Sequence, residues 1–287
     1  MGNIDLLHQV DMDIIKEVLA ICEKHGFTYY MLGGTMLGAI RHQGFIPWDD
    51  DIDLGMPRKD YERFLEVAPK ELSRHLKLVN YHTDPDYHYY ITRILDTETR
   101  VVEERIGNDS KYTNASIDIF PIDGTPNNAI LRKVYFFRVM YHRALMSLCY
   151  KDSIDRKRKR SAPEKVLLWV MERIPVEKMT TPYKQKCKID KLLKSQPVEG
   201  AKYIGNIMGA YRTREIVPCE YYGEGKFYRF EDIEMRGMAM YDEYLTDTYG
   251  DYMALPPEDK RKTHFRILEI HGEKVAEESY GGSEANF

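Results

Sequence analysis

Leu32-Gly33-Gly34-Thr35-Met36-Leu37-Gly38-Ala39-Ile40-Arg41-His42, followed by Trp48-Asp49-Asp50-Asp51-Ile52-Asp53-Leu54, joins a phosphate-sized glycine turn to a cluster of carboxylates. The pattern predicts a strand over residues 28–32 and a helix over 35–43, with Gly33 and Gly34 in the turn between them. Without a Cβ the backbone can approach a phosphate closely, and the first turn of the helix offers N–H groups that have no partner within the helix. A second strand from Asp51 to Met56 would put Asp51 and Asp53 on one face, because strand side chains alternate, and turn Ile52 and Leu54 into the core. Two carboxylates on one face suit one or two divalent cations, Mg²⁺ or Mn²⁺.

The 287 residues, 43% of them hydrophobic, suffice for a substantial core. A formal net charge of −4 supplies no general attraction for nucleic acid, so an anionic ligand must be held locally. Cys22, Cys149, Cys187 and Cys219 are far apart and form no C-x-x-C, which argues against a zinc site or a disulfide framework and for a reducing cytoplasm. No apolar run reaches the roughly 18 residues that span a bilayer, and the first residues, with Asp5, Asp11 and Asp13 among them, do not read as a signal peptide.

Leu7, Val10, Ile14, Val18 and Ile21 recur at helical spacing until Gly26, marking a first packing helix. A helix over 58–68 and strands near 76–80, 89–95 and 99–103 follow, and Ala115 to Phe120 reads as a strand carrying Asp118 between Ile117 and Ile119. Residues 127–150 turn helical, Ser161-Ala162-Pro163-Glu164 opens a capped helix to about Arg173, and another helix covers 183–194. Strands near 202–207 and 226–235, a helix over 238–248 and a last helical stretch after Pro256-Pro257 complete the pattern. The fold class is α/β, in the broad sense that includes α+β.

The acidic cluster has two simpler readings. Asp49, Asp51, Asp53 and Asp60 occupy positions 1, 3, 5 and 12 of an EF-hand loop, but Leu54 stands where glycine is needed and Pro47 precedes the cluster instead of a helix. A solvated acidic turn would not be interrupted by Ile52 and Leu54, although Asp49 and Asp50 still read as turn or supporting residues. Gly-Gly, then Asp-Ile-Asp, then Ile-Asp-Ile at 117–119 reproduces the order of parts in the nucleotidyltransferase fold.

The stretches 32–42, 44–56, 117–124 (Ile-Asp-Ile-Phe-Pro-Ile-Asp-Gly) and 249–257 (Tyr-Gly-Asp-Tyr-Met-Ala-Leu-Pro-Pro) together resemble the LicD family, over about residues 5 to 270. The resemblance implies one domain over 1–287: a nucleotidyltransferase-like catalytic core at 1–125, a helical insertion at 126–200, a C-terminal part at 201–275 and a flexible tail at 276–287. It implies a phosphotransferase that moves phosphocholine, or another phosphate-linked alcohol, from a CDP-activated donor such as CDP-choline to a cell-surface glycan, teichoic acid or lipopolysaccharide. Asp51 and Asp53 match the metal-binding pair, Asp118 the third carboxylate, as ligand or as base, and Gly33, Gly34 and Thr35 the phosphate turn.

The same active-site parts also suit a conventional nucleotidyltransferase that activates a sugar or alcohol phosphate. A third reading is a non-catalytic metal- or glycan-binding module, against which the three retained aspartates stand. Arg41 and His42 either reach the donor diphosphate or end the helix in solvent. Lys260, Arg261 and His264 could close over phosphate, but an exposed basic helix is the simpler reading. A choline headgroup calls for an aromatic cage, and 22 tyrosines, densest at 81–90, supply candidates without singling one out. The basic run at 156–160, followed by apolar residues 166–171, suits a peripheral contact with an anionic membrane at its inner face, or else a surface loop before a buried helix.

Overall fold

The computed structural model describes residues 3–103, 111–150, 179–209, 212–263 and 265–275. The basic run, the capped helix at 161–173, His264 and the tail at 276–287 lie outside the described residues. The chain gathers into two compact units, one of Met1–Val79, Ile91–Pro121 and Glu220–Phe287, the other of Asn80–Tyr90 and Ile122–Cys219.

In the first unit, helix α1 (Asn3–His25) buries Leu7, Ile14, Ile15, Val18 and Ile21, the face that helical spacing selects, and ends at Gly26 with φ +66°. Strand β1 (Tyr30–Met31) leads directly into α2 (Gly33–Arg41), then β2 (Asp53–Pro57), α3 (Arg58–Glu71), β3 (Leu76–Val79), β4 (Thr92–Glu103) and β5 (Lys111–Gly124). The sheet runs β1-β2-β5-β4 and continues with β10 (Phe265–Ile270) and β11 (Glu273–Lys274), with β3 also against β4. Met31, Met36, Ile52, Leu54, Met56, Phe64 and Ile94 are fully buried in its core.

Three stretches differ from the sequence expectation in the kind or number of their elements. The strands expected at 89–95 and 99–103 are one strand, β4, whose register slips between Leu95 and Arg100. Asp96 holds that irregularity, accepting from the Glu98 N–H at 2.9 Å and the Thr99 hydroxyl at 2.7 Å. The strand expected at 226–235 is a hairpin of β8 (Lys226–Phe230) and β9 (Ile233–Gly237). Its Glu231-Asp232 turn, with Glu231 at φ +53°, carries no glycine signal; it is secured by distant partners, the Phe45 N–H on Glu231 at 2.9 Å and Lys16 on Asp232 at 2.7 Å. The helical stretch expected after Pro257 is a 3-10 turn at Glu258–Lys260 followed by strands β10 (Phe265–Ile270) and β11 (Glu273–Lys274). The edge of β4, which pairs Phe265 with Glu103 through Ile270 with Thr99, overrides local preference there.

In the second unit, α4 (Ala129–Cys149) and α5 (Pro182–Lys194) pack against each other, with the short strands β6 (Tyr203–Gly205) and β7 (Ile216–Pro218) beside them. Asn128 caps α4 by accepting from Ile130 and Leu131, and Thr181 caps α5 by accepting from Lys184, with Pro182 at the first helical position. Tyr81, Tyr90, Tyr135, Val139, Ile189, Leu193, Ile207 and Met208 form the core. The short helix α6 (Cys219–Tyr222) leads back to the first unit, whose α7 (Tyr241–Tyr249) follows the hairpin.

Lys186 of α5 is fully buried, donating to the Tyr87 carbonyl and, at 3.3 Å, to the Tyr150 hydroxyl. Burial pushes its pKa down to about 8. Between that value and the ordinary lysine range the unfolded chain holds a proton that the folded chain has lost, so stability rises with pH there. Chemical denaturation from pH 7 to pH 10.5 should show a gain in wild-type stability that is absent in Lys186→Met.

Candidate active site

The glycine turn and β2 are tied at both ends of one residue. The Leu32 N–H donates to the Asp53 carbonyl at 3.0 Å, and the Asp53 N–H donates to Thr35 Oγ1 at 2.8 Å. Helix α2 begins at Gly33, two residues before the position expected, and Gly33 adopts φ +49°, a conformation that favours glycine. Its N–H donates to the Tyr244 hydroxyl at 3.0 Å, whereas the N–H groups of Gly34 and Thr35 belong to the first turn and have no partner within the helix.

The glycines face the acids. A Cβ on Gly33 would meet Asp53 Oδ2 at 3.4 Å, and one on Gly34 would fall 2.4 Å from Asp49 Oδ2. Strand β2 starts at Asp53, not at Asp51, yet the expected alternation holds: Ile52 and Leu54 are fully buried while Asp51 and Asp53 are partly exposed. Asp118 enters from β5, its N–H donating to the Ile52 carbonyl at 2.9 Å. Its carboxylate accepts two bonds from Arg93 of β4, at 2.7 and 3.2 Å.

Among the described residues, carboxylate oxygens of Asp49, Asp50 and Asp51 come within 4.8 Å of one another. Asp49 and Asp50, read from sequence as turn or supporting residues, therefore stand within the cluster. Asp50 is buried and accepts from the Phe265 N–H at 2.8 Å, while the Asp49 carbonyl is bound by His8 Nε2 at 2.7 Å. A cavity of about 20 Å³, room for one water, is lined by Asp50, Asp51, Arg93, Asn114, Ser116 and Asp118 among others. Burial, then the charges of Asp49, Asp118 and Asp50, raise the Asp51 pKa well above the usual carboxylate range; burial raises that of Asp118, with Arg93 opposing. Such crowding of oxygen ligands fits a hard divalent cation such as Mg²⁺ or Mn²⁺.

Arg41 does not end in open solvent: its Nη1 donates to the carbonyls of Tyr252 at 2.8 Å and Ala254 at 3.4 Å, tying down the segment after α7. His42 lies edge-on to Trp48, and Arg261 stacks over the Trp48 ring at 5.2 Å. Burial lowers the pKa of both Arg41 and His42, and Arg41 also lies within the field of Asp49.

Residues 26–154 match the family described as LicD/FKTN/FKRP, nucleotidyltransferase domain. The chain is 33% identical over 264 residues to the lipopolysaccharide cholinephosphotransferase LicD of Haemophilus influenzae, a match that covers 89% of this chain and 93% of that protein. The chain belongs to the LicD family. As a LicD-family member it is a transferase of a phosphorus-containing group. Shorter matches join it to an uncharacterised Rickettsia typhi protein, 38% identical over 66 residues (22% of this chain, 21% of that one), and to human ribitol 5-phosphate transferase FKRP, 46% identical over 45 residues (16% and 9%).

Several residues around this LicD-type site carry no signal in the sequence. Arg93 reads only as a charge within a strand, and Tyr244, which accepts from the Gly33 N–H, is one tyrosine among many. Arg261, which the sequence suggests lies on an exposed basic helix, belongs to the segment before β10 and reaches Trp48.

Gly34 has no positive φ, so alanine fits its backbone, and the atom that must give way is the end of the Asp49 side chain. Gly34→Ala should therefore keep its thermal unfolding midpoint while displacing that carboxylate, and transfer activity should fall by roughly 10- to 100-fold. Differential scanning calorimetry beside a donor-turnover assay checks both halves.

Proposed function

We propose that the protein transfers phosphocholine, or a related phospho-alcohol, from a CDP-activated donor to a hydroxyl of a cell-surface glycan such as lipopolysaccharide or teichoic acid. The observation that carries this reading is similarity to a lipopolysaccharide cholinephosphotransferase along 93% of its length. The ribitol 5-phosphate transferase match supports a phosphate-linked alcohol as the transferred class.

In the proposed reaction the acceptor hydroxyl oxygen bonds to the phosphorus that bears choline, the bond from that phosphorus to CMP breaks, CMP departs with the electron pair, and the hydroxyl proton passes to water. A divalent cation held by Asp51, Asp53 and Asp118, with Asp49 and Asp50 beside them, would offset the donor's phosphate charge. The N–H groups of Gly34 and Thr35 favour a phosphate oxygen at the start of α2. Arg93 fixes the Asp118 carboxylate while leaving lone pairs on both oxygens, which favours a ligand role for Asp118 over that of a freely moving base. Arg41 holds the segment at Tyr252–Ala254 and lies near enough to Asp49 to feel its charge, which supports a role at the donor diphosphate.

We place the reaction in the cytoplasm, with peripheral contact at the inner membrane face and an acceptor that is lipid-linked. No helix of the described residues is long and apolar enough to cross a membrane. The second unit nevertheless exposes Ile130, Val134, Phe137 and Tyr141, with exposures of 73, 52, 72 and 53%, at the three- and four-residue steps of one helical stripe. Helix α4 contains no Asp or Glu, and Lys133 and Arg138 are exposed on it. An apolar stripe with basic neighbours supports an anionic lipid surface as its partner.

Incubation with Mg²⁺, CDP-choline and a lipopolysaccharide or teichoic acid fraction should release CMP and join choline phosphate to the glycan; EDTA, Asp51→Asn or Asp53→Asn should abolish this in a folded protein. Pyrophosphate release from CTP and an alcohol phosphate, without cleavage of CDP-choline, would instead establish a conventional nucleotidyltransferase. Vesicles rich in anionic lipid should sediment the protein at low salt and release it as salt is raised, and Val134→Glu/Phe137→Glu should abolish sedimentation without changing turnover of soluble substrates. Equal sedimentation of that variant would remove α4 from the contact.

A further inference from the structure

Asp11 lies on α1 among Val10, Met12, Ile14 and Ile15, a run of buried apolar positions, and is itself 0% exposed. Among the described residues neither of its carboxylate oxygens has a hydrogen-bond partner. Among them it also caps no helix end and joins no ion pair, so nothing in the described packing of α1 accounts for a carboxyl there. The charges it feels are those of Asp51, Asp50 and Asp118, in that order. One turn earlier on the same helical face, Leu7 lines the small cavity that Asp50, Asp51, Arg93 and Asp118 share. Asp11, Asp50 and Asp118 are thus buried together, with the partly exposed Asp51 beside them.

We infer that Asp11 is a positioning residue of the cation centre, a buried carboxyl supplied by α1 that adds to the affinity for a divalent ion held by the aspartates of the β2 segment. The inference rests on the cation reading of the proposed function. An apolar residue would fill the same place at lower cost to folding, whereas a cation among the neighbouring acids gives the carboxyl a counter-charge that the protein alone does not supply.

The test is Mn²⁺ titration of the full chain, followed by calorimetry and by the electron paramagnetic resonance of the free ion, with thermal unfolding measured with and without Mn²⁺. Asp11→Asn and Asp11→Leu should unfold without Mn²⁺ at the wild-type temperature or above it, bind Mn²⁺ about tenfold more weakly or worse, and gain less stability from it. Asp13→Asn, which removes the same charge from an exposed position of α1, should bind as the wild type does. Wild-type affinity in Asp11→Asn would overturn the inference, and so would equal weakening in Asp13→Asn. The isosteric Asn variant keeps the test decisive should the Leu variant not fold. Loss of binding in Asp51→Asn together with retained binding in Asp11→Asn would refute the role of Asp11 alone; no saturable binding in the wild type would refute both the cation reading and this inference.

Discussion

The bidentate bond from Arg93 to Asp118, at 2.7 and 3.2 Å, governs how the acidic interior is arranged, because it supplies the positive side chain that opposes both the Asp118 and the Asp51 charge. Arg93 and Asp118 are also directly opposed residues of the β4–β5 ladder, so the ion pair and the strand register enforce each other. A one-residue slip would turn Arg93 to the other face of the sheet and leave Asp118 buried without its partner. Breaking such a pair costs far more than never having built it. The sheet is therefore specified at its centre by the same contact that orients a site residue.

Around this pair the close approaches are made by backbone. Gly38 would place a Cβ 2.4 Å from the Gly44 carbonyl, so α2 and the loop that carries the acids can meet only because that side chain is absent. The acids in turn are held by partners far away in the chain: Asp53 by Leu32 and Thr35 and Asp49 by His8 through their main chains, Asp50 through its carboxylate by the Phe265 N–H, and Asp118 through its N–H by Ile52 and through its carboxylate by Arg93. Pinning one residue by two elements reduces the freedom that binding would otherwise have to remove.

What the sequence disclosed is what local periodicity and chain order encode. The buried face of α1, the glycine start of α2, the alternation through Asp51, Ile52 and Asp53, and Asp118 between two isoleucines all follow from patterns a few residues long. What stayed hidden depends on partners far away in the chain. The turn at Glu231-Asp232 is fixed by Phe45 and Lys16, β10 by the edge of β4, and Arg261 becomes part of the site surroundings only through Trp48. Asp11 shows the opposite limit: it fits its helix without disturbing the pattern, and only the missing hydrogen bonds in the folded chain reveal it as anomalous.

The placement of β10 bears on how this protein is made. Asp50 depends on the N–H of Phe265, 215 residues later in the chain, and the strand that presents it closes the free side of β4. At synthesis rates of about 5–20 residues per second, roughly 10 to 40 s separate the emergence of these two groups from the ribosome. For that interval the glycine turn, Asp51, Asp53 and then Asp118 have been made, but the buried Asp50 lacks its donor and the sheet presents an uncovered strand. The nascent chain thus completes its acidic centre only once β10 has emerged and docked on β4, so a finished site is itself a report that Phe265 has been made.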